Sequence, residues 1–165
     1  MPEDETQGRG WIAPLIRKIR SAEANIKRLE ERKPKAVETL RAAVQRDVNQ
    51  LNAELYNGSP IISVEDDDQE DDYPADFIIH KDEFPSVTMY IALMPREYLI
   101  RFRLFTTADG GSYERRHEAS FLKIIADKEG GIIYSKNQKR VTVDELARLL
   151  VEPVVIHGSG LKFEY

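Results

Sequence analysis

The acidic stretch VEDDDQEDDYP, residues 64–74, holds seven carboxylates in the eight positions that begin at Glu65. Carboxylates at alternate positions can bind calcium, but a calcium loop also needs a glycine at its sixth position and a glutamate at its twelfth. Counted from Asp66, those positions hold Asp71 and Phe77. The stretch therefore fails as a calcium loop, and no metal is predicted. Its dense charge predicts a hydrated loop, and the alternative is an electrostatic contact with the chain's own basic helix or with a basic partner.

The candidates for acid–base chemistry are the three histidines, His80, His117 and His157. None has a second histidine four residues away, so the sequence contains no helical metal-binding pair. Ser159 follows His157 closely, but it lacks the strand-to-helix elbow that exposes a nucleophilic serine. No catalytic residue and no cofactor are therefore predicted, which favours a non-enzymatic protein. A small-ligand-binding domain or an enzyme with no recognisable motif is the remaining alternative.

Basic side chains are concentrated between Arg17 and Lys35, where eight bases and three acids give a local charge of +5. The whole chain has a net charge of −5. Such segregation is typical of proteins that associate through charge, and nucleic acid is one possible partner. The predicted nucleic-acid-binding residues are Arg17, Lys18, Arg20, Lys27, Arg28, Arg101, Arg103, Arg115 and Arg116. No helix-turn-helix, zinc finger or aromatic RNA-binding motif accompanies them, so a nucleic-acid-associated regulator is the alternative function.

An apolar stripe runs through the same N-terminal segment. Its first part consists of Ile12, Leu15, Ile19, Ala22, Ile26 and Leu29. Spacings of three and four residues predict a helix with one apolar face. The stripe resumes at Val37 and continues to Leu55, and Asn57-Gly58 is a typical helix end. Because proline inside a helix costs about 3 kcal/mol, Pro34 predicts either one kinked helix or a hairpin of two helices.

This helical arm is too long for a small sheet to cover. A helix of about 44 residues is roughly 65 Å long, whereas a domain of this size is about 30 Å across. Part of the arm must cover the sheet, and the rest is free to bind another helix. The predicted partner-binding residues are Ile12, Leu15, Ile19, Ile26 and Leu29. The expected partner is a second copy of the chain or another helical protein.

After Pro60 the apolar period changes to two, which is typical of strands. Asp109-Gly110-Gly111 predicts a hairpin turn, followed by one return strand over residues 113–125. The sequence predicts an antiparallel β-meander of four to six strands. A capping box at residues 142–145 predicts a short C-terminal helix from 143 to about 152, stopped by Pro153. A last hairpin is expected to pair residues 154–156 with residues 161–165.

Length and composition predict a single α+β domain. The chain has 165 residues, 41% of them hydrophobic, and contains no cysteine. We expect a disordered N-terminus at 1–10, a helical arm at 11–57, and an antiparallel α+β domain at 60–165 with an acidic loop at 65–74. The acidic start and the lack of a long apolar run favour a cytoplasmic protein without membrane contact. The expected function is protein–protein interaction or assembly, with self-association through the arm.

Overall fold

A computed structural model of the chain describes residues 9–67, 74–83, 85–108 and 113–157. These residues confirm the predicted α+β class, with a long helix α1 (Ile12–Leu55), an antiparallel sheet, and a helix α2 (Val143–Ile156). The predicted disorder at residues 1–8, most of the acidic loop, the Asp109-Gly110-Gly111 turn and the strand at 161–165 lie outside the described residues. Neither α1 nor α2, the helices of the described ranges, combines the length and the apolar character that crossing a bilayer requires.

The described residues form eight strands, more than the four to six predicted. They are β1 (Ile62–Glu65), β2 (Phe77–Lys81), β3 (Val87–Met94), β4 (Leu99–Ala108), β5 (Tyr113–Arg116), β6 (Ser120–Ala126), β7 (Ile132–Lys136) and β8 (Lys139–Val141). The spatial order is β1-β2-β3-β4-β6-β7-β8, β5 also pairs with β4, and every pair is antiparallel. A three-residue 3-10 helix, Pro95–Glu97, connects β3 to β4.

The predicted single return strand over 113–125 is wrong in one respect, because it is divided into β5 and β6. Both segments pair with β4, through Phe105↔Arg116 on one side of the break and Phe102↔Ser120 on the other. Residues 117–119 therefore lie opposite only two residues of β4, Arg103 and Leu104. The strand opposite β4 has one extra residue at this point, which is a β-bulge. The His117 amide still donates to the Leu104 carbonyl at 3.0 Å, which holds the bulge against β4.

The core lies between one face of the sheet and the two helices. Alternate residues of each strand point to this inner face. Its buried strand residues include Phe77, Ile79, Met89, Ile91, Ile100, Phe102, Leu122 and Ile124. The helices contribute Leu29, Leu40, Val44 and Val48 from α1, and Leu146, Leu150 and Val154 from α2. The other face carries no helix among the described residues.

Pro34 lies inside one continuous helix, so the alternative of a two-helix hairpin is wrong. Leu29 before the proline and Leu40 after it are both buried in the same core. Burying a leucine contributes about 1.5–3 kcal/mol, so the two together offset the proline's cost of about 3 kcal/mol. Lys33, which occupies a stripe position next to the proline, forms an ion pair with Asp76 at 3.1 Å.

The C-terminal helix begins as predicted and ends later than predicted. The Thr142 hydroxyl accepts the Glu145 amide at 3.1 Å, as a capping box requires. Pro153 does not stop α2, which continues to Ile156, and the strand expected at 154–156 is therefore wrong. Pro153 and Val154 are both buried, so their packing offsets the hydrogen bond that proline removes.

Candidate functional site

Helix α1 has two parts that differ in exposure. Between Leu29 and Asn52 it contributes six buried residues. Between Trp11 and Ser21, here called the projecting segment, every described residue is at least partly exposed. Immediately after this segment, the Tyr98 hydroxyl donates a hydrogen bond of 3.1 Å to the Ala22 carbonyl. The body of the protein therefore contacts α1 at Ala22, through the residue that precedes β4.

The projecting segment continues the apolar face that the core buries. The exposed fractions are 64% for Trp11, 42% for Leu15, 41% for Ile16 and 48% for Ile19. At 3.6 residues per turn, Leu15 and Ile19 lie on the same side of α1 as the buried Leu40 and Val44. One continuous apolar face is thus partly in the core and partly in water.

The predicted partner-binding residues divide between these two environments. Leu15 and Ile19 are exposed, whereas Ile12 and Ile26 are half-buried. Leu29 is only 1% exposed, so its assignment to a partner surface is corrected. It faces the molecule's own core because the sheet already covers α1 at that level.

Two apolar residues of the projecting segment were not among the predicted partner-binding residues. Trp11 lies one turn before Leu15, and Ile16 lies beside Leu15 and Ile19 on the helix surface. The prediction included only apolar residues spaced three and four positions apart, so it left out Trp11 and Ile16. A wider apolar arc, which takes in the positions flanking a heptad seam, would have found them.

A cavity of about 440 Å³ lies where α1 enters the body of the protein. It is lined by Asn25, Arg28, Leu29, Arg32, Tyr98, Ile125, Ala126, Asp127 and Lys128. Arg32 Nη1 donates to the carbonyls of Asp127 and Gly131 at 2.7 and 2.8 Å, which anchors the β6–β7 turn on α1. Ile125, at the rim, is 43% exposed. Ile125 is therefore an exposed apolar side chain of a cavity whose lining also includes Arg28, Asp127 and Lys128.

The same turn is held by a carboxylate. Asp127 accepts the backbone amides of Glu129 and Gly131, and these hydrogen bonds hold the pKa of its carboxyl below the usual value, with a further contribution from the Arg32 charge. The carboxylate stabilises the turn and needs no ligand to account for its charged state.

The predicted basic residues on α1 do not form one line. Arg17, Lys18, Arg20, Lys27 and Arg28 are all exposed. At 100° per residue they spread around the half of the helix that faces solvent. This distribution is typical of a solvated helix surface.

Three of the four predicted strand arginines share one face of the sheet, and Arg115 does not. Arg101 and Arg103 alternate with the buried Phe102 and Leu104 of β4, and so lie on the face of the sheet that carries no helix among the described residues. Arg116 opposite Phe105 lies on that face too, whereas Arg115 opposite Thr106 does not. The structure therefore brings three of the four predicted strand arginines together.

Aromatic residues lie among these arginines. The guanidinium carbons of Arg116 and Arg103 are 5.4 and 6.0 Å from the centroid of the Phe105 ring, within cation–π range. Phe121 pairs with Arg101 across β4 and β6 and is 54% exposed. We call Arg101, Arg103, Arg116, Phe121 and Lys123 the arginine face.

The described start of the acidic loop contacts the rest of its own chain. Asp66 forms an ion pair with Arg41 of α1, and Asp67 accepts the Ala75 amide at 3.1 Å. Over residues 9–67, 74–83, 85–108 and 113–157, no cluster of three or more acidic or histidine side chains could hold a metal ion.

The histidines contact hydroxyl groups or each other. His80 Nδ1 lies 2.8 Å from the Thr88 hydroxyl, and His117 Nε2 lies 3.3 Å from that of Thr106. The His117 and His157 rings meet edge to face with centroids 6.1 Å apart. Burial lowers the pKa of both, as do nearby cations, among them Arg115. The lowered pKa favours the neutral form of the His117 and His157 rings, which suits them to packing against each other.

The described structure therefore has two surfaces of distinct character, the exposed apolar projecting segment and the arginine face. Comparisons of the chain with protein-family models, with curated proteins and with solved structures found no match.

Proposed function

We propose that the protein is a non-enzymatic assembly module that self-associates through the projecting segment of α1. The observation that carries the proposal is the continuation of the buried apolar face into exposed Leu15, Ile16 and Ile19. Exposed apolar surface gains about 25 cal/mol per Å² when it is removed from water. A second helix is the partner whose shape fits this narrow face.

The heptad pattern supports helix pairing. Positions a and d of the first two heptads are Ile12, Leu15, Ile19 and Ala22. Apolar residues at this spacing form the seam of a coiled coil. The seam spans only three helical turns, so the interface is smaller than the roughly 800 Å² per partner of a stable complex. The association is therefore weak and depends on concentration.

The test is a double substitution in the projecting segment, Leu15→Glu with Ile19→Glu. The mass of the wild-type protein, measured by light scattering during size-exclusion chromatography, is expected to rise from the monomer value of 19.0 kDa toward twice that value as concentration increases. The double variant is expected to remain at 19.0 kDa throughout. Burying two unpaired carboxylates in an apolar seam is unfavourable, so pairing is lost.

The matched control is Ala24→Glu, which adds a carboxylate at an exposed position on the opposite side of α1. It is expected to associate like the wild type. A wild-type protein that stays monomeric at all concentrations would contradict the proposal, as would a control that dissociates as fully as the double variant.

A second candidate function is binding of single-stranded nucleic acid on the arginine face. The observation that favours it is the exposed ring of Phe121 among cationic side chains on an uncovered sheet. Cations near a stacking ring form the usual platform for single strands, because phosphates contact the cations and bases stack on the ring.

Fluorescence anisotropy with a labelled single-stranded oligonucleotide tests this second function. Phe121→Ala is expected to weaken binding by about 1–3 kcal/mol, the contribution of one stacked base. Lys123→Glu is expected to weaken binding and to flatten its salt dependence, since one phosphate contact is lost. Lys139→Glu on the edge strand β8 is the control. Absence of binding by the wild type at low salt rejects this function.

A further inference from the structure

We infer that two copies of the chain pair antiparallel through their projecting segments, with Trp11 of each copy entering the cavity at the base of the other copy's α1. This inference rests on the proposed self-association and names its partner, orientation and anchor residue. It follows from the position of the sheet on α1, from the heptad positions, and from the exposure of Trp11 and Ile125.

The sheet determines the orientation. Tyr98, which precedes β4, contacts α1 at Ala22, and the buried residues of α1 begin at Leu29 on the side of the helix that carries Leu15 and Ile19. In a parallel pair, both sheets would occupy the space between the two helices at the same level. In an antiparallel pair, the two sheets lie at opposite ends of the shared segment, and each projecting segment meets only the other. Steric exclusion therefore selects the antiparallel arrangement.

The register follows from the length of helix that is free. Within the described part of α1, residues 12–22 contain no buried side chain, and Ala22 is half-buried. The twofold axis must therefore lie near the middle of this range. In an antiparallel coiled coil, a positions of one helix meet d positions of the other. Leu15 then packs on Ile19 of the second copy, Ile12 packs on Ala22, and the Ile16 side chains meet beside the axis. Every exposed apolar residue from 12 to 19 is covered.

Trp11 occupies a flanking g position of the heptad, and so does Asn25. In this register, Trp11 reaches the level of Asn25 in the second copy, on the flank where the cavity opens. Leu29, Tyr98 and Ile125 contribute apolar surface to the cavity, and Arg28, Arg32 and Lys128 contribute cations to its lining. An indole is large and apolar and is also the best cation–π acceptor. Its burial would cover both Trp11 and Ile125, which are exposed in the monomer.

Repulsion between lysine side chains is expected to weaken the antiparallel pair. Lys18 is also a g position, and in this register the two Lys18 side chains face each other near the axis. They are exposed and solvated, so their repulsion is modest and is screened by salt. The antiparallel pair is therefore expected to be weak at low ionic strength and to strengthen as salt is added, opposite to an interface held by ion pairs.

Disulfide cross-linking tests the orientation, and the chain contains no native cysteine to interfere. Ile12→Cys and Ala22→Cys variants are made separately and then mixed under mild oxidation. In the antiparallel pair, Cys substitutions at 12 and 22 are adjacent, so the mixed dimer forms. Two substitutions at 12 are about 15 Å apart along the axis, beyond the roughly 7 Å Cα limit of a disulfide, so neither variant cross-links alone.

Tryptophan fluorescence tests the anchor, because Trp11 is the single tryptophan of the chain. Its emission is expected to shift to shorter wavelength as the protein dimerises. Ile125→Glu, at the exposed rim of the cavity, is expected to abolish this shift and to weaken dimerisation, whereas Ala24→Glu retains the shift. An unshifted emission in a fully formed dimer overturns the placement of Trp11.

The two proposals fail in distinguishable ways. If each cysteine variant cross-links by itself and the mixture adds nothing, the pair is parallel, and this inference is overturned while self-association stands. If light scattering finds only monomers at every concentration, self-association fails and the inference fails with it.

Discussion

Replacement of Leu40 by alanine is expected to lower the free energy of unfolding by about 2–5 kcal/mol, whereas the same replacement at Leu15 leaves it within about 0.5 kcal/mol. Both leucines lie on the apolar face of α1, but Leu40 is 2% exposed and Leu15 is 42% exposed. Removing buried methyl groups loses their transfer free energy and leaves a cavity in the packed core. Removing exposed methyl groups does neither.

Urea unfolding followed by circular dichroism measures both values, with an unchanged slope as the check for two-state behaviour. The protein must be dilute, because dimerisation would add stability that Leu15→Ala removes. A loss at Leu15 equal to that at Leu40 in dilute protein would mean that the projecting segment folds back on its own body, and the proposed interface would then be hidden in the monomer.

Replacement of Asn52 by alanine is expected to lower the free energy of unfolding by about 2–6 kcal/mol, because two buried backbone groups lose their partners at about 1–3 kcal/mol each. The Asn52 amide donates to the Ile62 carbonyl at 2.8 Å, and its oxygen accepts the Ile62 amide at 3.0 Å. Ile62 is 1% exposed. This side chain therefore joins the last turn of α1 to the first strand of the sheet.

The control for Asn52 is Asn49→Ala in the same helix. Asn49 is exposed and accepts a hydrogen bond of 2.8 Å from Gln45. Loss of this exposed hydrogen bond is expected to change the free energy of unfolding by no more than about 0.5 kcal/mol. Alanine has a higher helix propensity than asparagine, so both substitutions gain a similar small stabilisation of the helix. A thermal or urea midpoint that falls equally in both variants would therefore mean that the buried hydrogen bonds of Asn52 are not the cause.

The two parts of α1 differ in what surrounds them. From Leu29 to Asn52, α1 packs on the sheet, and its buried apolar side chains stabilise the monomer. From Ile12 to Ser21, the same helix has no buried side chain. A rigid helix anchored in a core presents its free end in a fixed direction, so little conformational entropy is lost when a partner binds.

Several local features were predictable from the sequence because each depends on neighbouring residues. The helical spacing from Ile12 to Leu55 is read at i, i+3 and i+4. The Thr142 cap needs only the residue three positions on. The Asn57-Gly58 helix end needs positive φ angles, and the structure has 52° at Asn57 and 85° at Gly58. The α+β class follows from such local signals taken in order.

Other features required the tertiary structure. The continuation of α2 through Pro153 depends on the burial of Val154 among distant residues, which outweighs a local stop signal. The division of the arginines, with Arg115 on the opposite side of the sheet from Arg116, depends on the register of β5 against β4. The buried pairing of Asn52 with Ile62 has no local signature at all.

The apolar stripe of α1 combines a feature that depends on neighbouring residues with one that depends on long-range packing. The single apolar face of α1 from Ile12 to Leu55 was predictable from the amino-acid sequence, because periodicity is a property of residues close in the chain. The burial of Leu29 and the exposure of Leu15 and Ile19 depend on which parts of α1 the rest of the fold reaches. That boundary lies where Tyr98, far away in the chain, reaches Ala22, and long-range packing of this kind leaves no trace in the spacing of apolar residues.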